Sequence, residues 1–172
     1  MHNKTKTLII FGCSERISEI SNRIPELISN FDTLGLNRFP EYYPTKYRLW
    51  IDNEKYGYCI FRQDDGEYKP FHPFTSADLK LGWTVAVPAI DWAIKQGYKK
   101  VILYGVLDGE YKQIDDDYYS YHYFYSDEVG KIHKKALSGM VKYVDSFNEQ
   151  IDIDKNIDRK LEESNYDRVK NI

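Results

Sequence analysis

A glycine, a cysteine and a serine, Gly12-Cys13-Ser14, separate a short apolar run from residues spaced as in a helix. Glycine lets a ligand approach the backbone closely, and the free N–H groups at a helix start attract an anion. Ser14 also suits the N-cap of the helix that follows, so capping alone is an equally good interpretation. The 12–14 turn is therefore a candidate ligand-binding site.

Polar residues stand at similar places further along the chain. Asn37 and Arg38 follow one apolar run, Asn53 follows another, and Thr75 and Ser76 open the longest helical pattern. Amide groups donate and accept hydrogen bonds at once, which suits ribose hydroxyls, sugar hydroxyls or base edges. Each position also has a local interpretation, because asparagine favours turns and hydroxyl side chains cap helices. We take all five as candidate binding residues.

The most unusual stretch is IDDDYYSYHYFYSDE, in which tyrosines alternate as on one face of a strand. Such a segment could close over a nucleotide, with Tyr121 and Tyr123 contacting its phosphate or base. An aromatic edge hairpin packed against the core explains the pattern equally well. His122 is the candidate general base, since an imidazole titrates near neutral pH. Strand alternation, however, directs it away from the tyrosine face.

Several kinds of chemistry are disfavoured by the composition. The aspartates at 115–117 resemble the D-x-D of metal-dependent transferases, but a solvated acidic loop is the commoner explanation. The four histidines show no metal-ligand spacing, so neither a metal nor a cofactor is expected. The formal net charge of −3, without a dense cluster of lysine and arginine, disfavours binding to duplex nucleic acid.

The location of the protein is also constrained by the sequence. Cys13 and Cys59 are the only cysteines, too few for a disulfide framework or a cysteine-built zinc site. No apolar run is long enough for a signal peptide or a membrane span. The sequence therefore predicts a cytoplasmic protein.

Strand and helix patterns alternate and must position these side chains. The apolar runs predict strands at 7–11, 33–36, 47–51, 58–61 and 100–104, and helices at 14–29, 75–96 and about 127–147. Alternation of this kind predicts an α/β, Rossmann-like fold, a mostly parallel sheet with helices on both faces. Ligands bind at the carboxyl ends of such strands, where the candidate residues lie.

The chain divides into two regions by composition. Residues 1–150 are predicted to form a single nucleotide-binding domain. Residues 151–172 are strongly charged, with Ile153, Ile157 and Leu161 four positions apart. We interpret them as a helical tail that packs on the domain or joins copies of the chain into a homo-oligomer.

Five segments resemble, in order, the bacterial sialyltransferases of glycosyltransferase family forty-two and related motility-accessory and pterin-diphosphokinase-like Rossmann domains. They are FGCS, GLNRF, WIDN, FTSAD and AIDWAIKQGYKKVILYG, and they span about residues 7 to 105. The resemblance implies that the 12–14 turn, Asn37, Asn53 and Ser76 face a cytidine-nucleotide sugar. It also implies that tyrosines hold the phosphate without a metal and that His122 is the base.

Two functions follow as hypotheses. The first is a metal-independent glycosyltransferase-like protein that binds a nucleotide or a nucleotide-sugar. The second is a non-catalytic protein that sequesters a nucleotide-derived signal, for instance one encoded by a virus or a mobile element. A structural role, with an empty rim and an assembling tail, is the third interpretation.

Overall fold

A seven-stranded mixed sheet and a smaller antiparallel sheet form the framework of the fold. The computed structural model describes residues 6–52, 57–73 and 85–155. The strands are β1 (Thr7–Phe11), β2 (Asp32–Leu36), β3 (Tyr47–Asp52), β4 (Gly57–Asp64), β5 (Glu67–Pro73), β6 (Lys100–Tyr104), β7 (Lys112–Gln113), β8 (Tyr118–Tyr123), β9 (Ser126–His133) and β10 (Asp152–Asp154). The main sheet has the order β10-β6-β1-β2-β3-β4-β5, and the second has the order β7-β8-β9.

Strand β1 runs through the middle of the main sheet and is buried along most of its length. It pairs in parallel with β2 on one side and with β6 on the other. Its side chains alternate between two hydrophobic clusters, with Leu8 and Ile10 in one and Ile9 and Phe11 in the other. The carboxyl ends of β1, β2 and β6 therefore meet at the same edge of the sheet.

Helices contribute to both clusters. The 3₁₀ helix Glu15–Ile20 and α1 (Ile24–Asn30) pack beside Ile9 and Phe11. Helices α2 (Ala86–Lys95) and α3 (Lys134–Ser146) pack beside Leu8 and Ile10. In the part of the chain that the structure describes, no helix is long and apolar enough to cross a membrane.

The prediction of a Rossmann-like fold is wrong, because a mostly parallel sheet with helices on both faces is only part of the framework. Strands β3, β4 and β5 pair antiparallel, and the second sheet is antiparallel throughout. The sequence interpretation assigned a loop to β5 and no second sheet at all. Asp65 and Gly66 explain the first difference: both have positive φ, 52° and 81°, as in the two-residue turns that join antiparallel strands. The fold is a mixed α/β fold.

Two predicted helices also differ from the structure. The helix expected at 14–29 is a 3₁₀ helix followed by α1, and Pro25 lies in the first turn of α1, where its missing N–H costs nothing. The helix expected at about 127–147 begins only at Lys134, because Ser126–His133 pair with β8. Pairing with a neighbouring strand thus overrides the local pattern.

The remaining differences concern α2 and the tail. The described helix begins at Ala86, so Pro88 lies in its first turn, where its missing N–H would have no helical partner. Residues 75–84 of the predicted helix lie outside the described residues. In the predicted helical tail, Asp152–Asp154 instead form β10, which pairs with β6. Residues 156–172 lie outside the description, and self-association through them stays a prediction.

Candidate functional site

A cavity of about 190 Å³ opens at the carboxyl ends of β1, β2 and β6. Its floor comes from the turn after β1 (residues 12–15) and the turn after β6 (residues 105–109). One wall comes from β8 of the second sheet, and the rest from Asn37 and apolar side chains of other elements. Two sheets thus meet around one small cavity.

The structure brings most of the sequence-predicted site residues together here. Those that line the cavity are Gly12, Cys13, Ser14, Asn37, Tyr121, His122 and Tyr123. Arg38 does not: its exposed guanidinium pairs with Glu41 at 2.8 Å and lies 4.9 Å from the centre of the Tyr125 ring. Asn53, Thr75 and Ser76 lie outside the described residues.

Gly12 is required by the contact between the two floor turns. A Cβ atom at this position would overlap the carbonyl oxygen of Gly105 and lie 2.8 Å from Val106 Cγ2. The Gly12 N–H donates to the Tyr104 carbonyl at 2.7 Å, which continues the β1–β6 pairing into the turn. Close backbone packing alone therefore explains this glycine.

A buried carboxylate that sequence reasoning missed joins the two floor turns. Ser14 Oγ accepts from the Arg16 N–H at 3.2 Å, as an N-cap, and donates to Asp108 Oδ1 at 2.7 Å. Asp108 Oδ2 accepts from the Gly105 N–H at 2.9 Å. Burial raises the pKa of Asp108, while the hydrogen bond from Ser14 opposes that rise. The sequence offers one indication of Asp108, its position three residues after Gly105, the glycine that directly follows a buried strand.

The turn between Gly105 and Asp108 has an uncommon backbone conformation. Gly105 has φ 73°, and Leu107, a branched residue, has φ 63°. Non-glycine residues rarely occupy this left-handed region. The bond from Gly105 N–H to the Asp108 carboxylate closes the turn and holds Leu107 in that conformation.

Glu15 is an acid that lines the cavity and that no sequence pattern singles out. Its Oε1 accepts from the Glu110 N–H at 2.8 Å. Its Oε2 is buried and, among the described residues, has no hydrogen-bonding partner. Glu15 and Asp108 place carboxylates beside the 12–14 turn, where the sequence predicts a bound anion. Like charges repel each other. An anion is therefore disfavoured beside the 12–14 turn.

Cys13 presents a thiol to the same cavity. Its Sγ donates to the Leu36 carbonyl at 3.5 Å, and burial raises its pKa to about 11. A thiol with this pKa remains protonated at neutral pH, so it is a weak nucleophile. We assign Cys13 a packing role in the cavity wall.

The tyrosine-rich segment forms the β8–β9 hairpin, which packs against the core and also lines the cavity. The hairpin interpretation offered from the sequence is confirmed, and closure over a nucleotide stays a prediction. The tip of the hairpin is held by the Phe124 N–H, which donates to the Cys13 carbonyl at 3.1 Å, and by the Phe124 ring, which lies 5.8 Å from that of Phe39. The hydroxyls of Tyr121 and Tyr123 bond to each other at 3.2 Å.

His122 reaches the cavity because the strand alternation breaks. The register of β8 against β9 shifts between His122 and Tyr123, so both residues line the cavity although they are neighbours. Such bulges redirect side chains next to functional sites. The side chain is exposed and, within the described ranges, no hydrogen bond fixes its ring.

The acidic run has a structural role. Asp115 Oδ1 accepts from the backbone N–H groups of Asp117 and Tyr118 at 2.8 and 2.9 Å, which shapes the turn before β8. Among residues 6–52, 57–73 and 85–155, no group of three or more histidines, cysteines or acids is placed to hold a metal ion.

Comparison with known proteins adds no assignment. No family model, no curated protein and no solved structure matches the chain. The relationship to the sialyltransferase family stays a prediction, and the function has to be argued from the cavity itself.

Proposed function

We propose that this protein binds a nucleotide or a nucleotide-sugar in the cavity between the two sheets. The observation that carries the proposal is the convergence of residues from three distant segments: the 12–14 turn, Asn37 and the tyrosines of β8. Their sequence context resembles proteins that use cytidine-nucleotide sugars. The site also lies at the carboxyl ends of parallel strands, the usual place for such ligands in open sheets.

The size of the cavity limits which part of the ligand it encloses. Sites that enclose a drug-sized ligand measure roughly 300–1,000 Å³, against about 190 Å³ here. One ring of the ligand fits inside, and the rest lies over the open mouth. A phosphate outside the cavity is compatible with the Glu15 carboxylate in its lining.

Glycosyl transfer is the first form of this function. In such a reaction the bond between the sugar carbon and the phosphate oxygen breaks, and the phosphate leaves with the electron pair. An acceptor hydroxyl attacks the sugar carbon and gives its proton to a base. His122 is the candidate for that base, since it lines the cavity and an imidazole accepts a proton near neutral pH. No metal is part of this proposal.

Binding without catalysis is the second form, and one observation favours it. A catalytic histidine is commonly oriented by a hydrogen bond to its other nitrogen. In the described part of the chain, His122 has no such bond, whereas Ser14, Tyr121 and Tyr123 are all hydrogen bonded. A hydrogen-bonded pocket beside a histidine that lacks such a bond among the described residues suits a protein that sequesters a nucleotide-derived signal.

A ligand screen followed by a turnover assay tests both forms. We expect thermal stabilisation by a nucleotide or nucleotide-sugar, since a ligand at one hundred times its Kd adds about 2.7 kcal/mol to the free energy of unfolding. Release of nucleotide from a labelled nucleotide-sugar then separates transfer from sequestration. Absence of stabilisation by every nucleotide and nucleotide-sugar would contradict the proposal. Cys13 and Cys59 are not joined by a disulfide, and we propose that the protein acts in the cytoplasm.

A further inference from the structure

We infer that Glu15 is the recognition residue of this cavity and that it accepts a hydrogen bond from a sugar hydroxyl of the ligand. The inference rests on the proposed function and names the part of the nucleotide or nucleotide-sugar that enters the cavity. That part is a neutral ring with hydroxyls, and the phosphate remains outside.

The two oxygens of Glu15 have different surroundings. Oε1 is fixed by the Glu110 N–H at 2.8 Å, whereas Oε2 is buried without a partner among the described residues. Oε2 lies beside Gly109, where an added Cβ atom would come within 2.9 Å of it. Leaving a buried acceptor unpaired is unfavourable, and more so for a charged one. A carboxylate held in place on one side and unpaired on the other is suited to a donor from a ligand.

The walls around Glu15 favour a neutral donor. Asp108 already receives hydrogen bonds on both oxygens, from Ser14 and Gly105. Apolar lining comes from Leu36, Val106 and Met140 among others. An ammonium group would need three acceptors in this setting, whereas a hydroxyl needs one. A phosphate in the cavity would be repelled by the Glu15 carboxylate in its lining. A sugar hydroxyl satisfies Oε2 and leaves the ring against the tyrosines and apolar side chains.

The variant Glu15→Gln isolates this bond. If the amide oxygen keeps the bond from Glu110, the amide NH₂ takes the place of Oε2, and an acceptor becomes a donor of nearly the same size. Glu19→Gln is the matched control, because Glu19 lies on the same 3₁₀ helix with a side chain 56% exposed and paired with Arg16. Thermal unfolding of each variant without ligand shows whether the fold is kept.

The experiment measures binding of the four ribonucleoside monophosphates, their 2′-deoxy and 3′-deoxy forms and a set of nucleotide-sugars by calorimetry. If the hydroxyl belongs to ribose, the wild type binds the ribonucleotide at least tenfold more tightly than the deoxy form that lacks this hydroxyl, and Glu15→Gln removes that difference. If it belongs to the attached sugar, Glu15→Gln weakens only the nucleotide-sugar, by roughly 10- to 100-fold, as expected for a bond to a charged acceptor. Glu19→Gln matches the wild type in both cases.

Other outcomes overturn the inference. Equal binding of every ligand by wild type and Glu15→Gln overturns it and leaves the proposed function standing. Binding of putrescine that is lost in Glu15→Gln identifies a cation site instead. Failure of the wild type to bind any nucleotide or nucleotide-sugar overturns the proposed function as well. If Glu15→Gln does not fold, the comparison of ribo and deoxy forms on the wild type still tests a ribose hydroxyl, because it needs no variant. Gly109→Ala then tests the attached sugar, since the added methyl group lies close to Glu15 Oε2.

Discussion

Ser14 and Asp108 lie 94 positions apart in the sequence and are joined by a hydrogen bond of 2.7 Å between Ser14 Oγ and Asp108 Oδ1. This bond connects the turn after β1 to the turn after β6. The same serine caps the 3₁₀ helix, and the same aspartate closes the turn that contains Leu107. The floor of the cavity is therefore one hydrogen-bonded unit.

Removal of the Ser14 hydroxyl should destabilise the fold. Ser14→Ala removes a helix cap and a bond to a carboxylate, and we expect the free energy of unfolding to fall by about 2 kcal/mol. Urea denaturation measures this change. Ser18→Ala, an exposed serine on the same helix, should change it by less than about 0.5 kcal/mol. Equal effects of the two substitutions would show that the Ser14–Asp108 bond does not contribute to stability.

Asp108 should make stability depend on pH in a definite direction. Burial raises its pKa in the folded protein above the ordinary value of 3.8, so the folded state holds this proton more tightly than the unfolded state. The wild type therefore loses stability as pH rises from 3.8 through the folded-state pKa. Asp108→Asn cannot titrate. We expect the free energy of unfolding of Asp108→Asn, relative to that of the wild type, to increase over that pH range. Denaturation at successive pH values measures this difference, and a difference that does not change with pH would contradict the raised pKa of Asp108.

Gly12 should tolerate no side chain. The sequence alone suggests that a bulky residue here blocks the ligand and leaves the fold intact, but that expectation conflicts with the contact to Gly105. Even Gly12→Ala should lower the free energy of unfolding by roughly 1–3 kcal/mol, since the clash is with backbone. Thermal unfolding without ligand is the measurement. Unchanged stability would mean that the two turns are free to separate.

The hydroxyl of Tyr121 should matter for binding more than for stability. Its partner is the hydroxyl of Tyr123 in the cavity wall, and a ligand in the cavity can replace that contact. We expect Tyr121→Phe to weaken nucleotide binding about tenfold, the effect of losing one hydrogen bond of about 1.4 kcal/mol. Tyr118→Phe is the control on the same strand, because Tyr118 is exposed and packs on His133.

Substitution of His122 separates catalysis from sequestration. If the protein transfers a sugar with His122 as base, His122→Ala should lower the rate by roughly two to four orders of magnitude and preserve donor binding. His72→Ala, in the distant β4–β5 hairpin, serves as the control. An unchanged rate removes His122 from the mechanism. If the wild type shows no turnover but binds tightly, sequestration is the function.

The β8–β9 hairpin should resist hydrogen exchange and become still more protected with ligand. The sequence suggests that residues 111–126 form a lid that is mobile without ligand. The Phe124 amide is bonded to Cys13, and the Phe124 ring packs on Phe39, so we expect slow exchange in the free protein. Phe124→Ala should speed exchange throughout β8. Rapid exchange of the Phe124 amide in the wild type would contradict the docked hairpin.

The sequence allowed part of this architecture to be predicted. Buried parallel strands such as β1 and β6 are continuous apolar runs, and their ends locate the floor turns. Strand β5 was missed although Asp65-Gly66 is a strong turn signal, because the residues of β5 are mostly exposed and carry no apolar run. Strand β9 was missed because its stability comes from pairing with β8, which no local pattern contains.

Only some residues of the candidate site could be predicted from the sequence. Residues that directly follow apolar strands, such as Gly12 and Asn37, could be selected from the sequence. Glu15 and Asp108 could not, because their roles depend on which backbone N–H groups and hydroxyls lie opposite them in space. The access of His122 to the cavity depends on a register shift between two strands, which sequence spacing does not reveal.

The floor and the wall of the cavity differ in how freely their residues can be substituted, and this difference determines how ligand selectivity could change. The floor depends on the close backbone contact at Gly12 and on left-handed conformations at Gly105 and Leu107, where most substitutions would disturb the main sheet. The wall is formed by the β8–β9 hairpin, so its cavity-facing side chains belong to the second sheet and not to the main sheet. New ligand preferences are therefore most accessible through exchanges at 121 to 123, and a directed-evolution library confined to those positions samples specificity while the scaffold is preserved.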